Sequence, residues 1–248
     1  MIRLQREEFG NPSSLHSIGF EAGNYIFDAR EALSRTFPRD GRIVFTSGGT
    51  ESDNMAIFSS CRKMRRRGKK VITTQLEHPA VLECMKRLQE DGYEIVYLAS
   101  DVNGYVEPQA LKAALDEETV LVSMMAVNNE VGTIEPVLPC YRIVQEFNRE
   151  HGTEILFHTD GVQAFGKVEF NDAPFDLISI SGHKFHGPKG VGALYIRKGV
   201  HIPPFILGGG QEDGFDPEPR THRESPGLDW RLRWPRKISS KNNRRWHR

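Results

Sequence analysis

Short apolar runs alternate with amphipathic stretches along the first 215 residues, and that alternation restricts the chain to an α/β architecture. Arg42–Thr46, Lys70–Thr74, Glu94–Leu98, Val120–Ala126, Glu154–His158, Leu177–Ser181 and Gly192–Ile196 have strand length and strand composition. Between them, Val81–Gln89 carries apolar Val81, Leu82, Met85 and Leu88 at helical spacing, and Pro108–Leu115 opens on a proline that suits a first helical turn. The expected fold is a mostly parallel central sheet with helices on both faces. With 38% hydrophobic and 27% charged residues, the chain is too apolar to be mainly disordered. No apolar run approaches bilayer-spanning length, which predicts no membrane span. The charged start (Arg3, Arg6, Glu7, Glu8) and only three cysteines predict a cytoplasmic chain without a signal peptide or disulfide scaffold.

In such sheets ligands bind at the carboxyl ends of strands. Five polar clusters fall there: Ser47-Gly-Gly-Thr50, Glu77-His78, Asn128-Asn129-Glu130, His158-Thr-Asp160 with Gln163, and Ser181-Gly-His183-Lys184. Gly48 and Gly49 let backbone approach an anion where a helix begins, and Thr50 adds a hydroxyl, although no lysine follows as in a Walker loop. Taken alone, that stretch reads first as a capped helix start. Asp160 reads either as a helix cap or as the partner of a protonated heterocycle nitrogen. Lys184, directly after an apolar strand and among tight-turn glycines, is placed to form a Schiff base, whereas Lys189 reads as a surface turn. His78, His158, Asp160, His183 and His186 are also potential metal ligands, which keeps a metal-dependent hydrolase as a competing reading. No H-E-x-x-H or cysteine-pair spacing supports it, and no metal is expected.

Taken together, these strings resemble the pyridoxal-phosphate enzymes of aminotransferase class V, and more narrowly the cysteine desulfurases. The matching segments run from Gly10-Asn-Pro-Ser-Ser14 through Phe45–Asn54, Glu77-His78, Val127–Gly132, His158–Gln163 and Ser181–Gly190 to Gly208-Gly-Gly-Gln-Glu212, in family order. The resemblance implies the large domain of a fold-type-I transferase. It implies that Lys184 carries pyridoxal 5'-phosphate and shuttles protons, and that His78 stacks on the ring as acid/base. Asp160 would pair with the ring nitrogen and Gln163 with the ring hydroxyl. Gly49, Thr50, Ser181 and His183 would hold the phosphate, and Asn129 would sit near the ring and the substrate carboxylate. The implied reaction takes L-cysteine to alanine and leaves a persulfide for an iron–sulfur scaffold or another sulfur acceptor, within a homodimer. Selenocysteine lyase is the alternative inside the class.

The sequence also departs from that family. The expected domains are an N-terminal remnant (1–8), the cofactor-binding large domain (9–215) and an unrelated basic tail (216–248), with the small C-terminal domain missing. The tail carries ten Lys/Arg against four Asp/Glu and all three tryptophans. A shift of one base after the Phe215 codon would turn it into an Arg-Ser-Gly-Thr-Glu-Asn continuation like that of the family, so it reads as a frameshift. A natural basic extension toward nucleic acid is the other reading of that tail. None of Cys61, Cys84 and Cys140 matches the family's catalytic loop, so the chain is expected to be inactive in sulfur transfer, and without the small domain and the family's phosphate-binding continuation it is expected to dimerise poorly. The first two would lie in or beside early helices and Cys140 just before another.

Overall fold

A computed structural model describes residues 6–7, 10–37, 41–168, 174–207 and 212. The expected tail, the boundary at 215, and most of the remnant and of the Gly208–Glu212 string lie outside the described residues. Seven strands form one sheet: β1 (Gly41–Thr46), β2 (Lys70–Thr74), β3 (Glu94–Leu98), β4 (Thr119–Ser123), β5 (Leu156–Asp160), β6 (Leu177–Ser181) and β7 (Gly192–Arg197). Their order is β1-β7-β6-β5-β4-β2-β3. β7 pairs antiparallel with both of its neighbours, and the other strand pairs are parallel. Six strands therefore share one direction and β7 opposes them.

The sheet is covered by helices α1 (Ser17–Ser34), α2 (Gly49–Met64), α3 (Pro79–Glu90), α4 (Pro108–Ala114) and α5 (Val137–His151). Two apolar layers result. Met55, Ile57 and Cys61 of α2 and Val81, Met85 and Leu88 of α3 pack on one face. Leu33 of α1, Leu111 of α4 and Tyr141 and Val144 of α5 pack on the other. β5 shows why both faces must be covered: Leu156 belongs to the first layer and Phe157 to the second, as a two-residue period requires. This is the expected doubly covered sheet.

Several expected boundaries move. β5 starts two residues late because Asn148 binds the Ile155 backbone on both sides, Nδ2 donating to Ile155 O at 3.0 Å and Oδ1 accepting from Ile155 N at 2.8 Å. β4 stops at Ser123, after which Met124 N and Ala126 N still donate to His158 O and Asp160 O. Cys140 lies inside α5 rather than before it. Among the described residues, no helix is long and apolar enough to cross a membrane.

Candidate functional site

The shared strand direction places the carboxyl ends Thr46, Thr74, Ser123, Asp160 and Ser181 on one rim, and the opposed β7 brings Gly192 there too. All five polar clusters of the sequence therefore meet on that rim.

At one end of the rim lies an anion cradle. α2 begins at Gly49 with Gly48 as its N-cap and no side-chain cap, so its first-turn N–H groups point outward. A Cβ on Gly49 would stand 2.8 Å from Val162 Cγ2, and one on Gly192 would stand 2.7 Å from the Gly48 carbonyl carbon. The cradle is thus built by backbone contact that side chains would prevent. The buried Ser181 hydroxyl lies 3.0 Å from His183 Nδ1. Burial and the charges of Lys184 and Lys189 lower the His183 pKa. Thr50 stands exposed on the first turn of α2.

Asp160 occupies the middle. Its side chain caps the following turn, Oδ1 accepting from Val162 N at 2.9 Å, so the cap expected as one reading is present. Burial raises its pKa, while the Val162 N–H, His78 and Lys184 pull it down. His78 and Lys184 are thus near enough for their charges to act on the same carboxylate. Lys184 is half-buried on a 3₁₀ turn, Gly182–Phe185, that ends in a left-handed residue, His186 (φ 69°). The adjoining Gly187 is required because a Cβ would stand 2.8 Å from Gly182 O. His78 is exposed and caps α3, its Nδ1 accepting from Ala80 N at 3.1 Å. An accepting Nδ1 leaves the proton of the neutral ring on Nε2. Gln163 accepts from Lys167 Nζ at 3.1 Å and keeps its amide donors free for other use. Asn129 is exposed, whereas its neighbour Asn128 is buried, its Oδ1 accepting from Glu130 N and Val131 N within the loop and its Nδ2 donating to Leu76 O.

Beneath Asp160 lies a polar row that the motifs did not reveal. His158 is fully buried, with Nδ1 at 2.9 Å from Ser123 Oγ and Nε2 at 3.0 Å from Ser179 Oγ. Asp53 of α2 sits 3.6 Å from the same Nε2. Burial forces His158 down to about 3, so it is neutral near pH 7, and burial, with the charge of Asp160, pushes Asp53 well up. The only sequence signal was polarity at core positions of three adjacent strands and a helix, and His158 stood among the potential metal ligands. Both of its ring nitrogens face hydroxyls, and no group of three His, Cys, Asp or Glu among the described residues could hold a metal.

This row makes a prediction. A depressed histidine pKa gives stability that is present above the unfolded value near 6.5 and lost as pH falls toward about 3. His158→Gln should flatten that acid limb in a pH series of denaturant melts. An unchanged limb would show that another group drives it.

All three cysteines are buried, and burial pushes the thiols of Cys61, Cys84 and Cys140 up to about 12. None lies on the rim strings. Two clefts of about 380 and 390 Å³ lie elsewhere, lined by Arg62, Lys63, Arg65, Arg66 and Pro203 and by residues around Arg42 and Lys198.

The residues fit pyridoxal phosphate on two counts. Asp160 has neighbours that under-compensate its burial, which suits a cationic ring nitrogen. The uncapped helix start, Ser181 and His183 suit a phosphate.

The chain matches the aminotransferase class-V family over residues 2–228. It is 48% identical over 211 residues to cysteine desulfurase IscS of Dictyoglomus turgidum, covering 84% of this chain and 52% of that protein. Among solved structures it is similar to a NifS-like protein (TM-score 0.88, 42% identity, 93% of this chain and 63% of that one). It is also similar to a structure described as SspA in complex with cysteine (TM-score 0.85, 33% identity, 98% and 70%). The chain spans about half the length of the curated relatives it matches.

Proposed function

The chain belongs to the aminotransferase class-V family, and from that premise we propose that it is a pyridoxal-phosphate-binding domain of the cysteine desulfurase type. The observation that carries this reading is the buried Asp160 carboxyl at the end of β5, on the rim it shares with the Ser181–Lys184 turn after β6 and with an uncapped helix start. L-Cysteine is the proposed substrate, supported by the relatives' names and by the cysteine in the SspA complex. A sulfur-acceptor protein and a second copy of the chain are the proposed partners. The exposed Phe20 and Phe27 of α1, seven residues apart on one helix face, are apolar surface that suits a protein partner.

When bound, pyridoxal phosphate supplies an electron sink for charge developing on the substrate carbon. In this proposal Gly49, Thr50, Ser181 and His183 hold its phosphate, Asp160 holds its ring nitrogen and Gln163 its ring hydroxyl. Lys184 holds it covalently and moves protons at its amine. His78 stacks on the ring and offers the proton of Nε2, because Nδ1 is committed to Ala80 N. Asn129 orients the ring and the substrate carboxylate. Cys61, Cys84 and Cys140 take no part, since their thiols are neutral and enclosed.

The test is binding. The full chain titrated with pyridoxal phosphate should develop saturable absorbance in the visible range, and added L-cysteine should perturb it. A folded chain that binds neither would remove this reading, and the metal-hydrolase alternative predicts that spectrum should stay blank.

A further inference from the structure

Beside His78 sits a buried acid that the proposed chemistry does not use. Glu77 is 4% exposed, and its Oε1 accepts two hydrogen bonds, from Thr74 Oγ1 at 2.8 Å and from Met125 N at 2.8 Å. Its Oε2 is buried without a hydrogen bond. Thr74 ends β2, and Met125 lies in the loop that follows β4. One oxygen therefore joins the ends of two neighbouring strands. A second tie runs parallel to it, Asn128 Nδ2 donating to Leu76 O at 3.1 Å. On its other side the same loop is stitched to β5, Met124 N donating to His158 O at 3.0 Å and Ala126 N to Asp160 O at 2.9 Å. The loop is thus held between the His78 turn and the Asp160 strand, and Glu77 is the side chain that closes one of those joints.

We propose that Glu77 is a positioning residue: its carboxyl ties the turn carrying His78 to the loop carrying Asn128 and Asn129, and so sets their spacing across the rim. The proposal rests on the cofactor reading of that rim. An apolar residue here would leave the Met125 N–H buried without its acceptor, which is costly. A buried carboxyl is also costly, and its surroundings make it more so. The ionisable groups facing it are Asp160 from β5, Glu135 from the segment before α5 and Asp53 from α2, all acids. Burial, chiefly, pushes Glu77 up to about 8. Near neutrality it is therefore a neutral acid, with one oxygen accepting both bonds. Asp160, by contrast, has the Val162 N–H, His78 and Lys184 to favour its ionised form. A glutamine has the shape and acceptor of the neutral acid; an alanine has neither.

The experiment compares Glu77→Gln, Glu77→Asp and Glu77→Ala in the full 248-residue chain. Without cofactor, Glu77→Ala should speed hydrogen exchange at the Met125 amide about 100-fold. It should also shift the NMR signals of both the His78 ring and the Asn128 side-chain amide. With pyridoxal phosphate, its affinity should fall about tenfold at temperatures well below the melt. Glu77→Gln should restore all three. It should also remove a limb of the parent's stability curve. A raised acid pKa gives stability that is present at low pH and lost as pH rises through about 8.

Parent-like exchange and His78 signals in a folded Glu77→Ala chain would overturn the proposal, and so would a glutamine variant that behaves like alanine. If the alanine variant does not fold, the aspartate variant decides. Its shorter side chain cannot reach both donors, so it should share the defects that glutamine lacks, and parent-like behaviour would overturn the idea. If the parent binds no pyridoxal phosphate, the cofactor reading fails, while the cofactor-free signals still decide the role of Glu77.

Discussion

Borohydride reduction of the chain after incubation with pyridoxal phosphate should place the label on Lys184, and Lys184→Ala should lower labelling on the order of 100-fold or more. The expectation comes from position. Lys184 is held half-buried on a short turn between the left-handed His186 and the end of β6, and its charge acts on Asp160. Two other lysines are near enough to compete. Lys167 is committed to Gln163, and burial together with the charge of Lys184 lowers its pKa. Lys189 is exposed and belongs to the surface turn. Peptide mass spectrometry of the reduced chain separates the three. Label on Lys167 or Lys189, or none on a demonstrably folded sample, would sink the proposed attachment.

The second large effect is a null in sulfur transfer. The family reaction needs a thiolate that can reach the substrate sulfur, because the thiolate is the nucleophile. Cys61, Cys84 and Cys140 are each at most 2% exposed, and their pKa values lie at about 12. At pH 8 the thiolate fraction is then on the order of 10⁻⁴. The chain by itself should release no sulfide and no alanine from L-cysteine in the presence of dithiothreitol. An independent measurement checks the cause: iodoacetamide should leave all three thiols unmodified in the folded chain and modify all three in denaturant. A persulfide found on any of them in the folded chain would show that one thiol reaches the rim, and single Cys→Ser variants would identify it.

These two expectations differ in where they come from. Lys184, His78, Asp160 and Ser181 were legible in the sequence because each stands where an apolar run stops. Strand ends in a parallel sheet share a rim, so their convergence follows from the alternation of elements alone. The strands at 70–74, 94–98 and 177–181 were legible to the residue for the same reason, since each is a β-rich run bounded by polar residues. β5 was displaced by two residues because a side chain seven positions away, Asn148, binds the Ile155 backbone. No local pattern carries that.

The buried polar row was legible only in fragments. Ser123, His158, Ser179 and Asp53 are spread over more than fifty residues, and each looks unremarkable in its own window. Their meeting depends on which strands are neighbours and on α2 crossing above them. Glu77 was legible as part of a two-residue string, but its bond to Met125 spans a pairing of β2 with β4 that skips β3 in chain order.

By itself, then, the sequence determined the α/β class and the rim on which the proposed site residues stand. Periodicity and turn residues are local, and a strand end is a local event. Only the tertiary structure decided the strand order, the single opposed strand β7 that carries Gly192 against Gly48, and the state of every buried ionisable group. Those depend on neighbours distant in sequence: burial from all sides holds His158 neutral and the three thiols protonated. A pKa or a contact between distant strands is a property of the surroundings, and the surroundings exist only once the chain has folded.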